Sequence, residues 1–151
     1  MELPGGIELE KNQLIIGATV VGVLILIAVP LAMNMQSSAG SGELPLNVEA
    51  IRTAEIEYRS AFSEYVAADA APRSPHAVND KPVEWKPSTG FSKLSWAPDE
   101  TLEVYGAYWV EATKDSFTVH GASDLDGDGE RAIWKATADA PAAATTADGV
   151  R

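Results

Sequence analysis

The chain has 151 residues, and setting aside an apolar N-terminal segment and a polar C-terminal tail leaves about 90 for a small water-soluble core. Twenty-two acidic against 11 basic residues give a net charge of −11, which argues against a phosphate-binding nucleic-acid surface and against adhesion to anionic lipid headgroups. With no cysteine, disulfides, thiolate metal sites, lipid attachment through cysteine and cysteine nucleophiles are excluded.

Residues 12–42 carry no charge, and Leu14 to Met33 is a nearly unbroken run of Leu, Ile, Val, Ala and Gly. Twenty residues at ~1.5 Å each cover roughly 30 Å, the thickness of a bilayer's hydrocarbon core, so a transmembrane or export helix is predicted. Three fates fit it: a plain anchor, a secretory signal cut after Ala39, or a signal cut ahead of the apolar run and kept as a helix. Lys11 is the only basic residue before the span, so charge asymmetry does little to orient it.

Gln36 to Glu43 (QSSAGSGE) is a Ser/Gly-rich breaker, and residues 37–44 are expected to be a flexible linker. Pro45-Leu46-Asn47 starts a second helix, with Asn47 as its cap and Glu49 in its first turn. Ile51, Ala54, Tyr58, Phe62 and Tyr65 form its apolar stripe, and Glu55 with Arg59 an i,i+4 pair on the solvent side. Such a helix needs a surface to cover, and a sheet is the natural one.

Ala70 to Gly90, with Pro72, Pro75, Pro82 and Pro87, reads as a long surface loop that exposes Trp85. Three strands follow: Leu102–Val110, Ser116–Gly121 and Arg131–Thr137. Turns at Thr113–Asp115 and in the Asp/Gly run make them an antiparallel meander. Trp96, Trp109 and Trp134 are expected in the core. Residues 138–151 lack apolar anchors and are expected to be a disordered tail. The fold class is therefore α+β: an N-terminal transmembrane helix, then an amphipathic helix packed on a three-stranded antiparallel sheet.

Asp124, Asp126 and Asp128, followed by Gly129, have the oxygen spacing of the first half of a calcium loop, and Glu130 can add a ligand. The twelfth loop position is Lys135, which excludes an EF-hand. Asp and Gly equally suit a metal-free turn between strands. His76 and His120, the only histidines, have no recognisable triad partners, and no phosphate loop is present, so no enzyme is predicted.

Several segments, in order, resemble the type IV pilin and pseudopilin family. Gly5-Gly6 and Ile7-Glu8-Leu9-Glu10 precede an apolar run in which Gly22 and Pro30 stand eight apart. Ile51-Arg52-Thr53-Ala54-Glu55 with Tyr58, Phe62 and Tyr65 resembles the second half of the pilin helix. Gly90-Phe91 through Trp96 resembles the segment before the pilin sheet. Asp124-Leu125-Asp126-Gly127-Asp128-Gly129 with Trp134 resembles the ending of many pilin-like heads.

The resemblance implies a leader over residues 1–6, cut by a prepilin peptidase after Gly6 so that Ile7 begins an N-methylated mature chain. A cut after Gly5 instead makes Glu10 the fifth mature residue. It implies a filament-core helix over 7–36 and a pilin-like head over 45–137. In a filament, Glu10 or Glu8 supplies the counter-charge to the buried α-amino group. Both carboxylates fit equally well at a membrane interface near a helix N-terminus. The implied partners are copies of the chain or related pilins, the pilus or secretion assembly machinery, and the peptidase. The implied location is a single-pass inner-membrane protein with its head outside the cytoplasm, extracellular once assembled. Two other readings stay open: a non-polymerising membrane-anchored interaction module, and a soluble calcium-binding domain released after Ala39.

Overall fold

The computed structural model describes residues 42–99 and 102–147. Among them no helix is long and apolar enough to cross a membrane. The apolar run, its leader and the residues Gly6, Ile7, Glu8 and Glu10 lie outside the described residues.

The described part is α+β, one long helix against an antiparallel sheet. Helix α1 spans Glu43–Phe62 and, at ~1.5 Å per residue, is about 30 Å long. Its buried face is Leu44, Val48, Ile51 and Glu55, spaced four, three and four apart. Burying each aliphatic member fully contributes about 1.5–3 kcal/mol.

The stripe is rotated from the expected one. Ala54 and Tyr58 are half-buried, Phe62 is 63% exposed, and Tyr65 lies beyond the helix. The helix stops because Ser63 turns left-handed (φ 60°) and closes its N–H on the Arg59 carbonyl at 2.8 Å. Phe62 then lies against Tyr58, ring centroids 4.5 Å apart.

The start also differs. The helix begins at Glu43, inside the expected linker, with Gly42 as its N-cap. Asn47 does not cap; its amide donates to the Tyr108 hydroxyl at 3.1 Å. The expected Glu55–Arg59 surface pair is absent. Glu55 is fully buried, whereas Arg59 donates to the Lys114 carbonyl and lies over the Tyr65 ring.

The strands, in chain order, are β1 (Ala68–Ala71), β2 (Val83–Glu84), β3 (Glu103–Val104), β4 (Ala107–Ala112), β5 (Phe117–Ser123), β6 (Ala132–Thr137) and β7 (Ala143–Ala144). The main sheet is five-stranded in the order β1-β4-β5-β6-β7, antiparallel throughout, and β2 pairs with β3 separately. The expected meander is its centre, β4-β5-β6. The predicted Leu102–Val110 strand is broken at Tyr105-Gly106, so its first part pairs with β2 instead.

The expected surface loop is largely structured. It contributes the end of β1, a 3-10 turn at Pro75–Ala77, β2 and the start of helix α2 (Thr89–Leu94). Trp85 is buried, with its ring 5.4 Å from Phe91 and 5.2 Å from Trp96. Trp96 and Trp134 pack half-buried against the core.

The tail is ordered where it is described. β7 pairs with β6, and α1 holds the chain leading into it. Arg52 donates to the Thr137 and Ala138 carbonyls at 2.6 and 2.9 Å, and Glu49 accepts the Ala142 N–H at 2.7 Å.

Cross-strand register fixes the two faces of the sheet. Tyr108 lies opposite Gly121, Val110 opposite Val119, and Val119 opposite Ala136, and these positions face α1. A Cβ on Gly121 would stand 2.7 Å from a Val48 methyl, so glycine there lets the helix approach closely. Trp109 and His120, opposite one another, belong to the other face; their rings stack 4.7 Å apart at 3°.

Candidate functional site: an acidic turn and a helix clamp

The β5–β6 connection carries Asp124, Asp126 and Asp128. Asp124, 5% exposed at the end of β5, folds the turn around its own carboxylate. Its Oδ1 accepts the Gly127 N–H at 2.9 Å and its Oδ2 the Gly129 N–H at 3.1 Å. Asp128 Oδ1 accepts the Glu130 N–H at 2.7 Å. Gly127 and Gly129 have φ of 71° and 90°, left-handed conformations that glycine adopts without strain.

The structure does bring the three predicted carboxylates together, one oxygen from each lying within 4.8 Å of the others. Asp126 and Asp128 are exposed. Calcium takes six to eight oxygens at about 2.3–2.6 Å, so three carboxylates fit a hard cation only with water or carbonyl oxygens completing the shell. The hydrogen bonds of Asp124 close the turn without an ion. Lys135 sits on β6 opposite His120, in a strand rather than at a ligand position.

Asp80, which sequence reading passed over, flanks this turn: a Cβ on Gly127 would lie 3.6 Å from its side chain. Arg131 Nη1 lies 3.0 Å from His76 Nδ1, linking the turn to the Pro75–Ala77 segment. No local motif announces either contact, because both bridge about 50 residues.

His120 is buried on the outer sheet face, with Nε2 3.4 Å from Glu111 Oε2. Burial pushes its pKa below the ordinary imidazole value; Glu111 opposes the shift and Lys135 adds to it. His76 and His120 sit on different elements, each with other partners.

The second constellation is at the start of α1, and sequence reading missed it entirely. Glu43 Oε1 accepts the Gly106 N–H at 2.8 Å and the Tyr108 hydroxyl at 2.6 Å, and Oε2 accepts the Tyr105 N–H at 2.9 Å. Tyr108 is fully buried and held well above the ordinary phenol pKa, first by burial and then by Glu43. Arg73 grips the same turn from the other side, its Nη2 donating to the carbonyls of Lys81 and Tyr105 at 2.9 and 2.8 Å. The clamp thus ties the first residue of α1 to the β3–β4 turn. The sequence signal for it was Tyr105-Gly106 inside an otherwise strand-like run, a break whose N–H groups need an acceptor. Among known proteins, the chain matches no family model, no curated sequence and no solved structure.

Proposed function

We propose that this chain is a structural subunit of a type IV pilus-like or pseudopilus filament, assembled through its N-terminal apolar segment and performing no catalytic turnover. One observation carries the reading: an uncharged run over residues 12–42 leads directly into a helix that is bonded to an antiparallel sheet from its first residue, Glu43. A subunit held in a fibre by one segment needs a head attached firmly where that segment arrives. The ordered pilin-like motifs from Gly6 to Trp134 support the same reading.

In this scheme the apolar segment stores the subunit in the inner membrane with the head outside the cytoplasm. A prepilin peptidase cuts after Gly6, and an assembly machine gathers apolar segments from many copies into a fibre core. Glu10 or Glu8 neutralises the new α-amino group there. The acidic turn at Asp124–Asp128 closes one end of the sheet through the hydrogen bonds of Asp124.

The test is the N-terminus and intact mass of native protein, taken from membranes and from material sheared off cells. A chain beginning at Gly6 or Ile7, N-methylated and present in the sheared fraction, is the expected result. A chain beginning at Met1 and confined to membranes refutes assembly in favour of an anchored interaction module, the reading that the Ser/Gly-rich composition of residues 37–44 favours. A chain beginning at Gly40 refutes both.

A further inference from the structure

Glu55 occupies a place that an apolar residue would fill. It continues the buried face of α1 after Leu44, Val48 and Ile51 and is fully buried itself. Its Oε2 accepts the Val66 N–H at 2.9 Å, while Oε1 is buried with no hydrogen-bond partner. A carboxylate with one dry, unbonded oxygen strongly disfavours its charged form.

The charged groups around it compensate little. On the α1-facing positions of β4, β5 and β6 the titratable group is Tyr108, bound to Glu43 about three turns away. Asp69 of β1 is exposed. On α1, Arg59 is engaged with the Lys114 carbonyl and the Tyr65 ring, and Tyr58 lies against Phe62. On α2, Lys93 favours the ionised form, but its ammonium pairs with Glu64 at 2.7 Å. Burial dominates and raises the Glu55 pKa to about 7, with the Val66 hydrogen bond and then Lys93 opposing.

A solvent-open groove of about 290 Å³ adjoins this point, lined by Tyr65, Val66, Thr89, Gly90, Lys93 and Val110 among others. Val66 and Lys93, the groups that act on Glu55, therefore also border water.

We propose that Glu55 is a proton-operated latch on the crossing from α1 to β1, residues 63–67. Neutral, it lets the crossing pack dry against the helix; ionised, it keeps the Val66 N–H but draws water in through the groove to its bare Oε1, and that hydration loosens the crossing. The device makes the surface around Tyr65 and Lys93 responsive to pH near neutrality. It stands independently of the filament reading.

Amide hydrogen–deuterium exchange on the full-length protein in detergent, between pH 6 and pH 8, tests it. After correction for intrinsic exchange, protection of residues 63–67 is expected to fall about tenfold over that range in wild type, following the neutral fraction of a group titrating near 7. In Glu55→Gln it stays level, and β5 stays level in both proteins. Unchanged protection in wild type, or an equal fall in the variant, overturns the proposal. Should Glu55→Gln not fold, the infrared band of a protonated carboxyl decides, recorded in a Glu57→Gln background because burial also raises Glu57. Its loss with a midpoint near pH 7 supports the latch, and its absence at pH 6 refutes it.

Discussion

Replacing Glu43 tests whether helix α1 is fastened to the β3–β4 turn from its first residue. Glu43→Ala strips the acceptor from the Tyr105 and Gly106 N–H groups and the Tyr108 hydroxyl. A hydrogen bond to a charged group contributes about 1.5–3 kcal/mol net. Glu43 is only half-buried, so water can reach the two N–H groups, and the expected loss is about 3 kcal/mol rather than the full sum. The assay is urea unfolding of the full-length protein in a mild detergent, followed by tryptophan fluorescence. Trp85, Trp96, Trp109 and Trp134 are the only tryptophans, so the signal reports the part of the chain that carries helix α1 and the sheet. With an m-value near 1.5 kcal/mol/M, the midpoint should fall by about 2 M. Tyr108→Phe removes one of these bonds together with the one accepted from Asn47 and should cost about 1.5–3 kcal/mol. The two changes together should cost less than their sum, since they share a contact. A midpoint for Glu43→Ala no lower than that of the exposed control Glu103→Ala, or full additivity with Tyr108→Phe, would refute the clamp.

Other consequences are as direct. Because the folded pKa of Glu55 is raised from 4.5 to about 7, the native state holds the proton more tightly between those values. Its contribution is whole below pH ~4.5 and is lost as pH rises to ~7, by roughly 3 kcal/mol. The stability difference between wild type and Glu55→Gln, measured by urea at pH 5 and pH 8, should change by about that amount in favour of the variant at the higher pH. Asp124→Ala leaves the Gly127 and Gly129 N–H groups without their acceptor and should cost about 2 kcal/mol by the same assay, whereas Asp126→Asn should stay within about 0.5. Millimolar calcium should raise the thermal midpoint of wild type no more than that of an Asp126→Asn/Asp128→Asn variant, since Asp124 already closes the turn; a larger rise in wild type would establish the metal site. Gly90→Ala places a Cβ 2.3 Å from the Ala67 carbonyl oxygen, so α2 must lift from β1 at a cost of about 3 kcal/mol or more, read from the urea midpoint.

What could be read from the sequence was what depends on near neighbours. The β4-β5-β6 meander was legible because Val110, Val119 and Ala136 alternate with polar neighbours and short Asp/Gly or Thr/Lys/Asp turns separate them. The acidic turn was legible from its spacing alone. The rest depended on partners far along the chain. Residues 138–147 carry little apolar character, and they are held by pairing with β6 and by Arg52 and Glu49, about 90 residues earlier. Trp85 reads as exposed among its prolines until Phe91, Trp96 and Tyr108 gather round it. Glu55 read as a surface partner for Arg59 because helical spacing allows that pair. The Val66 N–H beyond the helix end, donating to Oε2, gives the carboxylate a different partner.

The polar contacts of α1 share a pattern that none of them shows singly. Glu43 binds the β3–β4 turn, Glu49 and Arg52 bind residues 137–142, and Glu55 binds Val66. Three successive parts of one helix are thus fastened to three segments, two of them distant in sequence and at opposite margins of the β4-β5-β6 meander. A helix held only by Leu44, Val48 and Ile51 could slide along the sheet, since apolar contacts are not directional. Hydrogen bonds to charged groups fix its register instead. A pull on the first residue of the helix therefore meets the β3–β4 turn first, and the segment after β6 further along, through Glu49 and Arg52. That fastening is what the proposed filament role asks of the helix.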